Sequence, residues 1–138
     1  MLKMDRAALA AFLQSDFPQV ADEFEVDAAG EAGVVLRLKA SGRHLRPGGT
    51  VSGPAMFGLA DVAFYLAILS RIGPVALAVT TNASIDFMRK PDAGRDLRAE
   101  ARLLKLGRVL AVGDVMIFSE GTAEPVARAG MTYSIPSR

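Results

Sequence analysis

The chain has 138 residues, 51% of them hydrophobic, and a formal net charge of +1. That length suits a single domain spanning residues 1–138 with a sizeable core, and the near-zero charge excludes the broad basic surface that nucleic-acid binding needs. With no cysteine and one histidine, disulfides, thiol nucleophiles, thiolate sites and histidine-rich metal centres are excluded, so no metal is expected.

Residues 4–15 are expected to form a helix, with Leu9, Phe12 and Leu13 at helical spacing, Asp5 as a candidate N-cap and Pro18 soon after its end. This stretch lacks the long apolar core of a signal peptide, and a cytoplasmic location is expected. Residues 23–29 form a weak strand, in which Phe24 and Val26 alternate with Glu23, Glu25 and Asp27. Gly30 to Gly33 turns the chain. Val34, Leu36, Leu38 and Ala40 then share one face of a second strand, completing a hairpin. Ser41 to Ser52 is a loop rich in glycine and charge.

A helix is expected over residues 53–71, ended by Gly73-Pro74. Pro54 fits its first turn, where a missing N–H costs nothing. Its residues are apolar on every face, from Met56 and Phe57 through Phe64 and Tyr65 to Leu69, and Asp61 is the one charge among them. Such a helix must be surrounded by protein or by lipid. The run is long enough to span a membrane, but Asp61 would be costly there, and the neighbouring amphipathic strands need an apolar element to cover. No membrane partner is expected.

Four strands follow, over residues 75–89, 97–103, 109–118 and 126–135. The third is apolar on both faces except at Asp114, as a central strand should be. Consecutive strands after one buried helix indicate an α+β class. One antiparallel sheet wrapped around a long central helix meets every burial demand, which is the hotdog fold.

Two features of the helix carry candidate chemistry. Its start, Gly48-Gly49-Thr50-Val51-Ser52-Gly53-Pro54, is an amide-rich helix entry suited to an oxyanion, with the Gly53 N–H as the best donor and Gly48 and Gly49 allowing close approach. A plain turn with Ser52 as N-cap is the alternative. Asp61 is either a structural carboxylate satisfied by a hydroxyl or backbone N–H, or a catalytic one. Gly53 and Asp61 are eight residues apart, or roughly 12 Å along one helix. They cannot touch the same carbonyl from one chain. A catalytic reading therefore requires a twofold dimer with antiparallel helices, in which Gly53 of one chain meets Asp61 of the other.

The loop from His44 to Pro54, the Asp61 helix, the segment Asn82 to Pro91 and the run Leu104 to Arg108 resemble the hotdog acyl-CoA thioesterases of the phenylacetate-degradation type, a 4-hydroxybenzoyl-CoA thioesterase-like family. The resemblance covers about residues 20–135. The family usually reads His-Gly-Gly at the helix start, with an acid nine positions after the histidine. Here the triplet is Ser52-Gly53-Pro54, and Asp61 keeps the spacing. The resemblance implies hydrolysis of an acyl-CoA thioester, with an aryl or medium-chain acyl group and coenzyme A as part of the substrate rather than a cofactor. It assigns Asp61 as base or nucleophile, the Gly53 N–H as oxyanion donor, and Thr80, with Thr81 the next choice, as the hydroxyl that holds water. It also implies substrate contacts from Arg46, Gly49, Ser52 and Pro54, phosphate contacts from Arg89, Lys90, Lys105 and Arg108, and a homodimer with interfacial sites that pairs into a homotetramer. The chain departs from the family pattern at Ser52, Pro54 and Arg46, the last standing where the family has an asparagine. Those departures motivate a second reading, a non-catalytic acyl-CoA binding or sensing protein. A hotdog dehydratase is a third, disfavoured because His44 lies in the loop before the helix.

Overall fold

The computed structural model describes residues 2–137. Helix α1 (Arg6–Asp16) is capped by Asp5, whose carboxylate accepts the Ala8 N–H at 2.9 Å, and it buries Leu9, Phe12 and Leu13. Pro18 does more than end this helix: it opens a second short one, α2 (Pro18–Ala21). A fixed φ and a missing N–H suit the first helical position as well as they suit a stop.

Strands β1 (Phe24–Gly30) and β2 (Gly33–Leu38) form the expected hairpin. Helix α3 runs Gly53–Ile72 with Ser52 as N-cap, its Oγ accepting the Ala55 N–H at 3.3 Å. Gly73, at φ 96°, ends it. Strands β3 (Val79–Phe87), β4 (Leu97–Leu106), β5 (Leu110–Ser119) and β6 (Ala127–Ser134) complete one six-stranded antiparallel sheet, in the order β1-β2-β4-β5-β6-β3.

The sheet wraps α3, which packs mainly on β4, β2 and β5. Leu59, Phe64, Leu66, Ile68 and Leu69 are fully buried in that contact. Each contributes about 1.5–3 kcal/mol of burial free energy. The helix long and apolar enough to cross a membrane is thus covered by sheet. This is the hotdog fold.

Two boundaries differ from the sequence reading. The strand expected from Val75 begins at Val79, because the Ala78 N–H bonds the Val75 carbonyl in a turn. That strand lies at the edge of the sheet and exposes much of its length. Strand β4 runs on to Leu106, past a bulge between Leu103 and Lys105 that leaves Leu104 and Leu106 exposed.

The sheet order decides what surrounds Asp61. After α3 the chain crosses to the far edge, so β3 pairs with β6 rather than with β4. In that pairing Thr80 stands opposite Tyr133, and both face the helix at the level of Asp61.

Candidate active site

The Asp61 carboxylate is held by hydroxyls. Thr80 Oγ1 donates to Asp61 Oδ1 at 2.6 Å, and the Tyr133 phenol lies 2.8 Å from the same oxygen. The phenol oxygen is also 3.0 Å from the Asp61 main-chain carbonyl, so its one proton is shared between two acceptors of a single residue. Burial, reinforced by the Asp61 charge, pushes the Tyr133 phenol far above its ordinary value, so it stays a protonated donor. Among the described residues Oδ2 accepts no hydrogen bond.

A bulge in β3 sets up this arrangement. The register with β6 shifts between Thr80 and Asn82, leaving Thr81 without a strand partner. Thr80 therefore faces the helix, whereas Thr81 Oγ1 donates to the Thr132 carbonyl at 3.3 Å. A bulge redirects a side chain in just this way.

Asp61 opens into a cavity of about 380 Å³. Val62, Tyr65, Ala78 and Val79 line it, and the corner between α1 and α2 closes it with Asp16, Phe17 and Gln19. Phe17 packs edge-on against Tyr65 at 6.0 Å, and Tyr65 stacks on Tyr133 at 6.2 Å. The Tyr65 hydroxyl is occupied by the Ala76 carbonyl at 2.9 Å. Burial, with a smaller contribution from Asp16, raises the Tyr65 phenol above its usual value.

Gly53 lies in a different cavity, of about 250 Å³, together with Arg46, Met56, Phe87, Arg89 and Lys90. Among the described residues its N–H meets no acceptor; Pro54 has none to offer, and the Ala55 N–H is taken by Ser52. The Phe87 ring packs against the glycine, and a Cβ at Gly53 would meet it at 3.3 Å. Arg46 and Lys90 form no ion pair among the described residues, while Arg89 donates to the Pro125 carbonyl at 2.8 Å and lies 3.6 Å from Glu124. Gly48 and Gly49, at φ 103° and 84°, form the tight turn of the loop, closed by Gly49 N–H to the Arg46 carbonyl at 3.0 Å.

His44 holds that loop from below. It is buried, its Nδ1 accepts the Ser41 N–H at 3.1 Å, and its Nε2 lies 2.9 Å from Glu23 Oε1. That network assigns the proton to Nε2. The His44 carbonyl accepts the Ser52 N–H at 2.8 Å, which fixes the entry to α3.

The structure thus brings Asp61 and Thr80 together, and separately brings Gly53, Arg46, Arg89 and Lys90 together. Ser52, Pro54 and Gly49 belong to the loop and helix start beside the second group. Arg108 sits apart from both, at the β4–β5 turn beside Val109 and Ile135. Tyr133 is the residue of this site that the sequence alone did not single out; its only signal was a polar-tipped ring among the small and aliphatic residues of the last strand.

The family model of the thioesterase superfamily matches residues 48–126. In structure the chain is similar to a provisionally named thioesterase of Silicibacter sp., at 60% identity over 99% of this chain and 94% of that one, with a TM-score of 0.92. It is also similar to zebrafish thioesterase superfamily member 2, at 26% identity over 95% of each chain and a TM-score of 0.79. The PaaI protein of the Escherichia coli phenylacetic acid degradation operon matches at 26% identity over 92% of this chain and 89% of that one, with a TM-score of 0.78. No curated protein matches the sequence. A fold, a helix-borne carboxylate and a family match that includes it lead to one conclusion: the chain belongs to the thioesterase superfamily and is a hotdog thioester hydrolase.

Proposed function

We propose that the protein hydrolyses acyl-coenzyme A thioesters at a site shared between two chains. The observation that carries this reading is the Asp61 carboxylate, which lines a cavity with Oδ1 anchored by Thr80 and Tyr133 and Oδ2 without a hydrogen bond among the described residues. Such a carboxylate is fixed enough to aim and free enough to accept a proton. Asp61 takes a proton from water as the water oxygen attacks the thioester carbonyl carbon. The Gly53 N–H of the partner subunit stabilises the resulting oxyanion. Collapse expels coenzyme A thiolate, which recovers the proton, leaving a carboxylic acid and the free thiol.

Two observations support a dimer. Gly53 and Asp61 line different cavities of one chain, as their roughly 12 Å separation along the helix requires. Strand β3 is an unpaired edge with Val79 and Phe87 exposed at its two ends, a surface suited to pairing with a second copy. Pairing of dimers into a homotetramer belongs to the same proposal. Arg46, Arg89 and Lys90 beside Gly53 suit the phosphates of coenzyme A, and the Phe17, Tyr65 and Val62 cavity suits an aryl or medium-chain acyl group.

The test is a hydrolysis assay of the purified protein over a panel of acyl-CoA esters, with Asp61→Asn beside it. Loss of a general base removes about 10²–10⁴-fold of rate. Turnover by wild type and its loss in Asp61→Asn support the reading; an active Asp61→Asn refutes it. Tight acyl-CoA binding without turnover would instead favour a binding protein.

A further inference from the structure

We infer that Tyr133 is a positioning residue that selects which oxygen of Asp61 reacts; the inference rests on Asp61 serving as the base. The phenol reaches two acceptors of the same residue, Oδ1 at 2.8 Å and the main-chain carbonyl at 3.0 Å. A donor bridging backbone and side chain fixes the orientation of the carboxylate relative to the helix. Thr80 adds a second donor to the same oxygen at 2.6 Å. Oδ1 is thereby committed to two hydroxyls from two strands, which leaves Oδ2, without a hydrogen bond among the described residues, as the oxygen free to react.

The rest of the surroundings fits this division of labour. Tyr133 is itself locked by its ring, 5.6 Å from Phe64 and 6.2 Å from Tyr65. It is buried while still lining the cavity beside Asp61. The other titratable groups facing the cavity are Asp16 from α1 and Tyr65 from α3. Asp16 accepts the Ser15 hydroxyl at 2.6 Å, and the Tyr65 hydroxyl goes to Ala76, so neither is bonded to Asp61. Tyr133 and Thr80 are the two side chains that donate to the carboxylate among the described residues.

Removing the Tyr133 donor takes away the aim of the carboxylate, which lowers kcat without weakening substrate binding. Tyr133→Phe keeps the ring and its packing and deletes only the hydroxyl. The expected result is a fall in kcat of about tenfold, with KM changed less than about threefold. Thr80→Val lowers kcat in the same direction, and the double variant lowers it further.

Site-specific replacement of Tyr133 by 3-fluorotyrosine provides a measurement that does not depend on the fold tolerating phenylalanine. It keeps the hydroxyl donor, so kcat should stay within about threefold of wild type. Wild-type kcat in Tyr133→Phe overturns the proposal, as does a 3-fluorotyrosine variant as slow as Tyr133→Phe, or a loss that falls on KM rather than on kcat. If Asp61→Asn is inactive while Tyr133→Phe keeps the wild-type kcat, only the Tyr133 role falls. If Asp61→Asn is active, the catalytic reading itself falls.

Discussion

Replacing Gly113 by alanine perturbs the seating of α3 at one atom. Gly113 lies on β5 opposite Leu103 of β4. A Cβ there would collide with the Arg102 carbonyl on the neighbouring strand and press into the Phe64 ring, which is fully buried. The carbonyl cannot rotate away as a side chain could, so either β4 or the helix must move. Overpacking of a close-packed core costs about 1–3 kcal/mol, and a backbone obstacle places this site at the upper end, about 3 kcal/mol. For a chain of this size that is a fall in Tm of about 10 °C. Phe64 lies three residues beyond Asp61 on the same helix and packs on Tyr133. A displaced Phe64 therefore also loosens the carboxylate, and kcat should fall by at least about tenfold, since misplacement by about 1 Å is enough to cost that much. Thermal denaturation at matched protein concentration, followed by steady-state kinetics below the transition, reads both effects. An alanine variant with wild-type Tm and kcat would show that the helix is not seated on β5 in the way described.

Two further outcomes follow from the same geometry. Phe17→Ala removes the ring at the corner of α1 and α2 that closes the Asp61 cavity, so the preferred acyl group should become longer or bulkier in a competition assay over acyl-CoA esters; an unchanged preference would place the acyl group elsewhere. Stability should fall as pH rises above about 10, because an unfolded chain's tyrosine ionises there while buried Tyr133 remains neutral, a slope of about 1.4 kcal/mol per pH unit for that residue. Urea titrations between pH 9 and 11 measure it, and Tyr133→Phe should show a visibly flatter decline; equal slopes would mean that Tyr133 ionises in the folded protein as it does in the unfolded one.

The helix was legible as a long apolar run that Pro54 opens and Gly73-Pro74 ends, and a lone carboxylate in such a run was conspicuous whatever its role. Alternation marked β2, and apolar residues on both faces marked β5 as the central strand it is, between β4 and β6. The start of β3 was not legible, since Val75 to Ala78 is apolar like the strand but forms a turn. Nor could the sequence give the partners of Asp61. Thr80 and Tyr133 are 53 residues apart in sequence and meet only because β3 crosses to pair with β6. No local pattern encodes that order. The choice between Thr80 and Thr81 likewise depends on a bulge, which inserts one residue and reverses which side chain points inward. The second short helix was hidden because Pro18 marks a helix stop and a helix start with the same residue.

The division of the site between two chains is tested most directly by complementation. Asp61→Asn removes the base, and Gly53→Pro removes the N–H at a first helical position that accepts proline, after a Ser52 whose extended backbone tolerates it. Each variant alone should be inactive. Co-expressed in equal amounts, half of the dimers are mixed, and each mixed dimer holds one site that combines an intact Asp61 with an intact Gly53. Recovery of about one quarter of wild-type activity is the result expected of a shared site. A mixture as inactive as its parents, with mixed dimers demonstrated by differential tags, would place both groups in one chain's site and contradict it.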